Sequence, residues 1–446
     1  MDLTTITNLL AEKNYYRVKE ILSNSQVADI ADFLSTLDGA TALLVFRLLP
    51  KDMAADVFAY LSPARQSELS ALVNDRELQQ ILEDLYFDDK IDFLEEMPAN
   101  VVKRILQNTS EKERKLINQF LNYPEDSAGS LMTIEFVDLK KEMLVRDALA
   151  KIRETAPDKE TIYTCYVTDA NRVLEGILSL RDLVIAEPDQ KIGDIMRREI
   201  IYANTHDDKE DVAELVKKYD LLAIPITDNE KRLVGIVTVD DILDVIEEEN
   251  TEDFHKMAAL SPTDMEYLES GVFAMARKRI VWLLVLMLTA TFTGYIIRNY
   301  QSTLEKAVAL TVFIPMLMDT GGNAGSQSST LIIRSLALNE ISFHNILQVI
   351  WKEFRVSLVV GLALAAVNFL RVLLIERYSI VIAGIVSLTL IFTVITAKLV
   401  GSSLPILAKQ LKIDPAIMAS PLITTIVDTI SLIIYFSLAS RIMLLG

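Results

Sequence analysis

The first 120 residues repeat a pattern of apolar positions every 12 residues. From Ala31 onward, one position in each repeat is always apolar: Phe33, Val45, Val57, Leu69, Ile81, Phe93, Ile105 and Ile117. Twelve residues suit one short helix and a turn, and such units must stack to bury their apolar faces. The pattern predicts a right-angled stack of short helices, a small superhelical solenoid. An ordinary helical bundle with chance periodicity is the alternative.

A second repeat follows, with the pattern of strands and turns. Val167–Leu183 aligns with Ile226–Ile242 at a shift of 59 residues, and Gly176 falls on Gly235. Each copy indicates a strand, a tight polar turn, a second strand and the start of a helix. Two such α/β units in tandem resemble a pair of cystathionine-β-synthase (CBS) domains, a regulatory module that dimerises and often binds adenine nucleotides.

Thr238 and Asp241 match a nucleotide-binding spacing found in many CBS pairs. There, a Thr and an Asp three residues later, just after the second strand, hold the ribose, so the resemblance implies an ATP site. The alternative is that Thr238 only caps the helix that Asp240 and Asp241 open, because residues of these types prefer helix N-termini.

The helix after the second CBS unit is predicted to carry a dense acidic face. Residues 240–253 contain eight acids and no base. At helical spacing, four of the acids share one face: Asp241, Asp244, Glu248 and Glu252. Like charges at this spacing destabilise a helix, and hard divalent cations bind such oxygen ligands. The pattern favours cation binding; a solvated charged face is the alternative.

Residues 253–278 are predicted to connect these domains mechanically to a membrane. Ser261 and Asp264 match a capping box, with Pro262 at the first helical position. Arg277, Lys278 and Arg279 then precede the first apolar stretch, which places the N-terminal part in the cytoplasm by the positive-inside rule.

Five apolar stretches near the C-terminus each approach the length that a bilayer requires. They are about Ile280–Ile297, Val308–Ile333, Val356–Ile375, Ile380–Val400 and Pro421–Ser440. The odd number of crossings places the C-terminus outside.

Asp428 stands inside the last apolar stretch. A carboxylate at mid-membrane costs roughly 2.5–3.5 kcal/mol on insertion scales, so such groups usually line a water-filled path or pair with another group. Thr424 lies one turn earlier on the same helical face. We expect both residues to line a cation path. The alternative is a structural carboxylate paired with Lys398 on the preceding stretch.

The second stretch contains a small, polar, glycine-rich run, Asp319–Gln327. Glycines such as Gly325 can leave carbonyl oxygens facing a cavity, and Asn323 and Gln327 supply neutral oxygens. One carboxylate with neutral oxygens and water fits magnesium. Small-residue helix packing is the alternative for the glycines. The sequence leaves open whether Asp319 lines the path.

Charge and composition exclude several other classes. The whole chain has 44 basic and 62 acidic residues, of which 14 basic and 7 acidic residues lie after position 270. Residues 1–270 therefore hold 30 basic and 55 acidic residues, a net charge of −25. A region with this much negative charge is expected to bind cations rather than nucleic acid. The single cysteine, Cys165, and the lack of HExxH and phosphate-loop motifs argue against zinc sites and ATP-driven pumping. We expect no enzymatic activity.

Two long motifs, Pro315–Ala337 and Asp414–Phe436, and the domain order resemble the bacterial MgtE family of magnesium transporters. The resemblance covers the whole chain. It implies a homodimeric, channel-like Mg²⁺ path in the bacterial inner membrane, closed by intracellular Mg²⁺, with the connecting helix as a plug. Ser326 and Ser420 stand where some members have Asn, which bears on coordination geometry and ion discrimination.

The resemblance also implies individual site residues. In the pore they are Asn323, Gly325, Gln327 and Asp428. The expected ligands of regulatory Mg²⁺ are Asp88, Asp92, Asp208, Glu210, Asp220, Asp241, Asp244, Glu249, Glu252, Asp253 and Asp414.

The chain is therefore predicted to be multidomain. The predicted parts are an acidic α-helical N-domain (1–128), two α/β CBS domains (129–189 and 190–252), a connecting plug helix (253–278) and an all-α membrane domain of five helices (279–446). Two other functions stay open: a CBS-gated transporter of Mn²⁺, Co²⁺ or Na⁺, and a membrane-tethered nucleotide sensor. Asp428 argues against the sensor, because a mere anchor gains nothing from a buried acid.

Overall fold

The computed structural model describes residues 3–261, 271–301, 304, 308–418 and 420–444. The chain forms two compact units, Met1–Ile246 and Glu247–Gly446. The capping box predicted around Pro262 and Asp264 lies outside the described residues.

Ten helices open the first unit, and each begins 12 residues after the one before it. They are α1 Leu3–Ala11, α2 Tyr15–Leu22, α3 Val27–Ser35, α4 Gly39–Phe46, α5 Lys51–Ala59, α6 Pro63–Leu72, α7 Asp75–Asp84, α8 Phe87–Glu96, α9 Ala99–Asn108 and α10 Glu111–Phe120. The predicted period is confirmed and extends two repeats further towards the N-terminus.

The repeat follows from turn chemistry and from one buried position in each unit. The Asp38 side chain accepts from the Thr41 N–H, Asn74 forms a capping box with Glu77, and Pro63 is the first residue of α6. Six of the eight predicted core positions are buried: Phe33, Val45, Val57, Leu69, Phe93 and Ile117.

Two small sheets follow, and the predicted shift of 59 residues relates their main strands. The first has β1 Val137–Leu139, β2 Thr164–Thr168 and β3 Leu174–Ser179; the second has β4 Ala203–Asn204, β5 Ala223–Thr227 and β6 Leu233–Thr238. In each sheet the first two strands are parallel and the last two antiparallel. The helices of this region are α11 Ala128–Leu131, α12 Val145–Thr155, α13 Leu180–Ile185, α14 Ile192–Ile195, α15 Lys209–Tyr219 and α16 Val239–Met257. The two tandem α/β units predicted from the repeat are confirmed.

The described residues after position 270 form five long helices. They are α17 Val272–Asn299, α18 Ile314–Ala337, α19 Ile346–Leu370, α20 Ile380–Gln410 and α21 Ser420–Leu444. All but α18 lie in segments that are long and apolar enough to cross a membrane. α18 has 24 residues, about 36 Å at the helical rise, but carries the polar run, and it packs against α20 and α21.

Candidate cation sites

Three carboxylates of the first unit form a cluster. Asp88 lies in the first turn of α8, Glu160 lies between α12 and β2, and Asp241 lies in the first turn of α16. One oxygen from each residue lies within 4.8 Å of those of the other two. Opposite ligands of a magnesium ion are only about 4.2 Å apart. Three carboxylate oxygens this close together are compatible with one magnesium ion bound directly or through water.

Burial and mutual repulsion make this cluster unfavourable without a cation. Desolvation first, and then the charges of Glu160 and Asp241, hold the pKa of Asp88 well above its usual value. Burial also raises the pKa of Asp241 to about 7, of Asp89 to about 6 and of Glu135 to about 7. These raised pKa values show that burial and like-charge repulsion both oppose ionisation of the clustered carboxyl groups.

Two of these acids keep a carboxylate oxygen with no hydrogen-bond partner among the described residues. The Oε2 atoms of Glu135 and Glu160 are both buried in this state. The Glu160 N–H donates to the Glu135 carbonyl at 3.1 Å, which holds the two residues together. Buried, unsatisfied oxygens of this kind are suited to a hard cation.

Sequence reasoning found two members of the cluster and missed the third. Asp88 and Asp241 were both expected to be regulatory ligands, and the fold brings them together. Glu160 stands alone in an irregular segment and carries no motif, so only the sheet order places it here. Asp92 and Asp244, one turn further along their helices, are exposed.

Other expected regulatory residues have local structural roles in the first unit. The side chain of Asp208 caps α15 by accepting from the Glu210 N–H at 2.9 Å. Asp220 ends the same helix in a left-handed conformation, with φ of 51°. All three residues are exposed and lie outside the cluster.

Thr238 and Asp241 are bonded to each other. The Thr238 hydroxyl donates to Asp241 Oδ2 at 2.6 Å, and the Thr238 N–H approaches the same oxygen at 3.4 Å. Thr238 directly precedes α16, so this geometry fits the capping alternative. A ribose bound by these two residues would have to replace the hydrogen bond between the Thr238 hydroxyl and Asp241 Oδ2.

A second acidic group lies in the second unit, with a lysine inside it. Lys256 Nζ lies 2.7 Å from Glu252 Oε1 and 2.6 Å from Asp414 Oδ2. Burial, and then the charge of Asp414, raises the pKa of Asp253. The fold thus joins three expected ligands, while Glu249 is half-buried earlier on α16. The i, i+4 spacing of Glu252 and Lys256 is the sequence pattern from which this ion pair could have been predicted.

The polar run of α18 divides into two faces. Asp319, Asn323 and Gln327 follow at i, i+4 and i+8, and all three are exposed. We call them the polar stripe. On the other face, Gly321 and Gly325 are buried.

The glycines allow close helix packing. A Cβ on Gly325 would lie 2.7 Å from Ile423 Cγ2, and a Cβ on Gly401 would overlap the Gly325 carbonyl oxygen. α18 is helical throughout, and the Gly325 carbonyl oxygen lies against Gly401, so these glycines make a close helix contact; the pore role of Gly325 stays a prediction. The packing alternative describes these glycines.

Asp428 is half-buried on α21, and its Oδ1 is buried with no hydrogen-bond partner among the described residues. The carboxylate of Asp319 acts on it electrostatically. Thr424 packs on α18, since a Cβ on Gly322 would lie 2.9 Å from its methyl carbon. The alternative pairing with Lys398 is wrong: Lys398 contacts Ser328 and Glu353 instead.

Comparison with known proteins assigns the family. Family models match residues 25–126 (MgtE intracellular N domain), 128–189 and 192–248 (CBS domain), and 314–438 (divalent cation transporter). The magnesium transporter MgtE of Thermus thermophilus is 38% identical, over 98% of this chain and 97% of its own. The chain belongs to the MgtE family. The Bacillus subtilis MgtE magnesium transporter is 33% identical over 98% of both chains.

Solved structures of the family match the first part of the chain. The cytosolic domain of the Mg²⁺ channel MgtE in complex with ATP is 38% identical with a TM-score of 0.52, covering 55% of this chain and 99% of that one. The soluble part of a magnesium transporter is 31% identical with a TM-score of 0.52, covering 55% and 97%. The MgtE fold predicted from the motifs is thus confirmed.

Proposed function

We propose that this protein conducts Mg²⁺ through a bacterial inner membrane into the cytoplasm, without chemical conversion of any substrate. The observation that carries the proposal is the buried Asp428 Oδ1 within an apolar helix, which has no hydrogen-bond partner in the described part of the chain. A carboxylate left so in a membrane needs water or a cation. The relatives named magnesium transporters support the choice of ion.

The polar stripe supports a homodimer. Asp319, Asn323 and Gln327 form an exposed polar face on a helix that packs with membrane-spanning ones. In a bilayer such a face must meet water or protein. Two copies, with their stripes and Asp428 around one shared path, satisfy this requirement. The Arg277–Arg279 cluster supports N-terminal domains on the cytoplasmic side and a C-terminus outside.

Intracellular Mg²⁺ closes this path through the acidic groups. The cation relieves repulsion among Asp88, Glu160 and Asp241, and favours a closed arrangement that segment 253–278 transmits to the pore. Binding must be tighter in the closed form than in the open one. Several weak sites together supply the roughly 5.5 kcal/mol that moves a 1:99 ratio to 99:1. The remaining expected ligands, including Asp92, add to this total.

ATP binding at Thr238 and Asp241 is a further part of the proposal. Its support is a family cytosolic domain solved with ATP. Because Asp241 also belongs to the acidic cluster, bound nucleotide and bound Mg²⁺ would act on one carboxylate.

Uptake into proteoliposomes tests the proposal. A trapped Mg²⁺ indicator should report flux into vesicles that hold the native chain, and none into empty vesicles. Excess Mn²⁺, Co²⁺ or Na⁺ outside should slow this flux only weakly. Stronger uptake of one of these ions than of Mg²⁺ would assign the path to that ion. Absence of any flux from folded protein at low internal Mg²⁺ would favour a tethered sensor.

A further inference from the structure

A buried ion pair in the second unit lies apart from the sites above. Glu353 on α19 and Lys398 on α20 have side chains that are 13% and 6% exposed, with 3.9 Å between Oε2 and Nζ. Ser328 on α18 bridges them: its hydroxyl donates to Glu353 Oε2 at 2.6 Å and accepts from Lys398 Nζ at 3.1 Å. Three helices therefore meet at one polar contact.

Helix packing alone does not require charges at this place. A buried ion pair is often no more stabilising than apolar residues of the same volume, whereas removing one partner is costly. Charged residues inside membrane spans are rare and usually functional. The contact calls for a role that apolar side chains could not perform.

The ion pair of Glu353 and Lys398 contacts α18 on the side of the helix opposite its polar stripe. Ser328 is fully buried, while its neighbour Gln327 is exposed on the stripe. Glycines let α18 approach its neighbours, but they make no directional bonds that would fix its rotation. Ser328 makes such directional hydrogen bonds to Glu353 and Lys398. The Ser329 hydroxyl adds another by donating to the Met418 carbonyl at 2.9 Å.

We infer that Ser328, Glu353 and Lys398 form a positioning clamp that sets the rotation of α18 and thereby the alignment of its polar stripe. The inference rests on the proposed Mg²⁺ conduction. Glu353 also cancels the Lys398 charge, so that no uncompensated cation of the clamp opposes a passing cation. The three residues do not touch the ion; they act through Asn323 and Gln327.

Ser328→Ala tests the clamp while leaving both charges in place. The Mg²⁺ flux per folded protein should fall about tenfold, which is the effect of about 1.4 kcal/mol on a barrier. The ratio of Mg²⁺ to Na⁺ permeability should also change, because the stripe turns. The matched control is Ser402→Ala on α20, another fully buried serine, whose hydroxyl donates to the Leu399 carbonyl of its own helix. It should keep native flux and ion ratio.

Charge variants separate the clamp from a purely structural pair. Glu353→Gln leaves Lys398 uncompensated and should lose flux, and Glu353→Gln with Lys398→Gln should regain part of it, since two amides and Ser328 can still bond. A double variant no better than the single one, with the native ion ratio in both, would contradict the clamp. If Glu353→Gln fails to fold, Ser328→Ala still decides.

The two proposals fail in different ways. Native protein without Mg²⁺ flux would overturn the conduction proposal itself. Native flux together with unchanged flux and ion ratio in Ser328→Ala would overturn only the clamp.

Discussion

Asp241 links the stability of the first unit to pH. Burial and the charge of Glu160 raise its pKa from 3.8 to about 7 in the folded state. Its contribution is therefore fully present below about pH 4 and is lost as the pH rises through about 7. Without divalent cations, the unfolding temperature of the full chain should fall from about pH 5 to about pH 7.5. Asp241→Asn should flatten this dependence in calorimetry.

The control for this prediction is Asp211→Asn, an exposed acid on α15. It should keep the native pH dependence. An equally steep fall in Asp241→Asn would show that Asp241 does not couple stability to pH.

Lys256 competes with any cation at the second acidic group. Its ammonium lies between Glu252 and Asp414, although burial opposes its charge. In Lys256→Met, the three acids are left without a cation, so Mg²⁺ should bind more tightly there. The Mg²⁺ concentration that half-protects the full chain from protease should fall several-fold. Lys115→Met, at an exposed surface pair, should leave it unchanged; a rise in Lys256→Met would contradict this account.

At the scale of secondary-structure elements, the sequence predicts most of the helices and strands, because their positions depend on residues that are near each other in the chain. The apolar period places the helices of the first 120 residues because turn chemistry and burial repeat together, and the shift of 59 places the strands. Glu160 could not be predicted, because its neighbours Asp88 and Asp241 lie far away along the chain. The glycine-rich run was ambiguous, since the same residues allow exposed carbonyls and close packing; only the neighbouring helices decide.

Close packing of α18 on α20 predicts a position-specific effect of one methyl group. A Cβ on Gly401 would overlap the Gly325 carbonyl oxygen, whereas a Cβ on Gly384, on the same helix, meets nothing within 4 Å. Gly401→Ala should reduce stability by about 1–3 kcal/mol, as overpacking does, and reduce flux. Gly384→Ala is the matched control and should be near native. Equal unfolding temperatures in detergent would disprove the close contact.

For the whole molecule, Mg²⁺ should act as a stabilising ligand. One site saturated at 100 times its Kd adds about 2.7 kcal/mol, and several sites add more. The unfolding temperature and the protease resistance of segment 253–278 should rise with Mg²⁺ but not with K⁺ at equal ionic strength. In Asp88→Asn with Asp241→Asn, most of this gain should vanish. Undiminished protection in that double variant would remove the cluster from the gating account.

The central claim is that cations pass Asp428, and one flux measurement tests it directly. Mg²⁺ uptake into proteoliposomes should be abolished in Asp428→Asn, which keeps the size of the side chain but removes its charge. Glu340→Gln, at an exposed acid after α18, should conduct like the native protein. Folded Asp428→Asn protein with native uptake would contradict the account and make Asp428 a structural carboxylate.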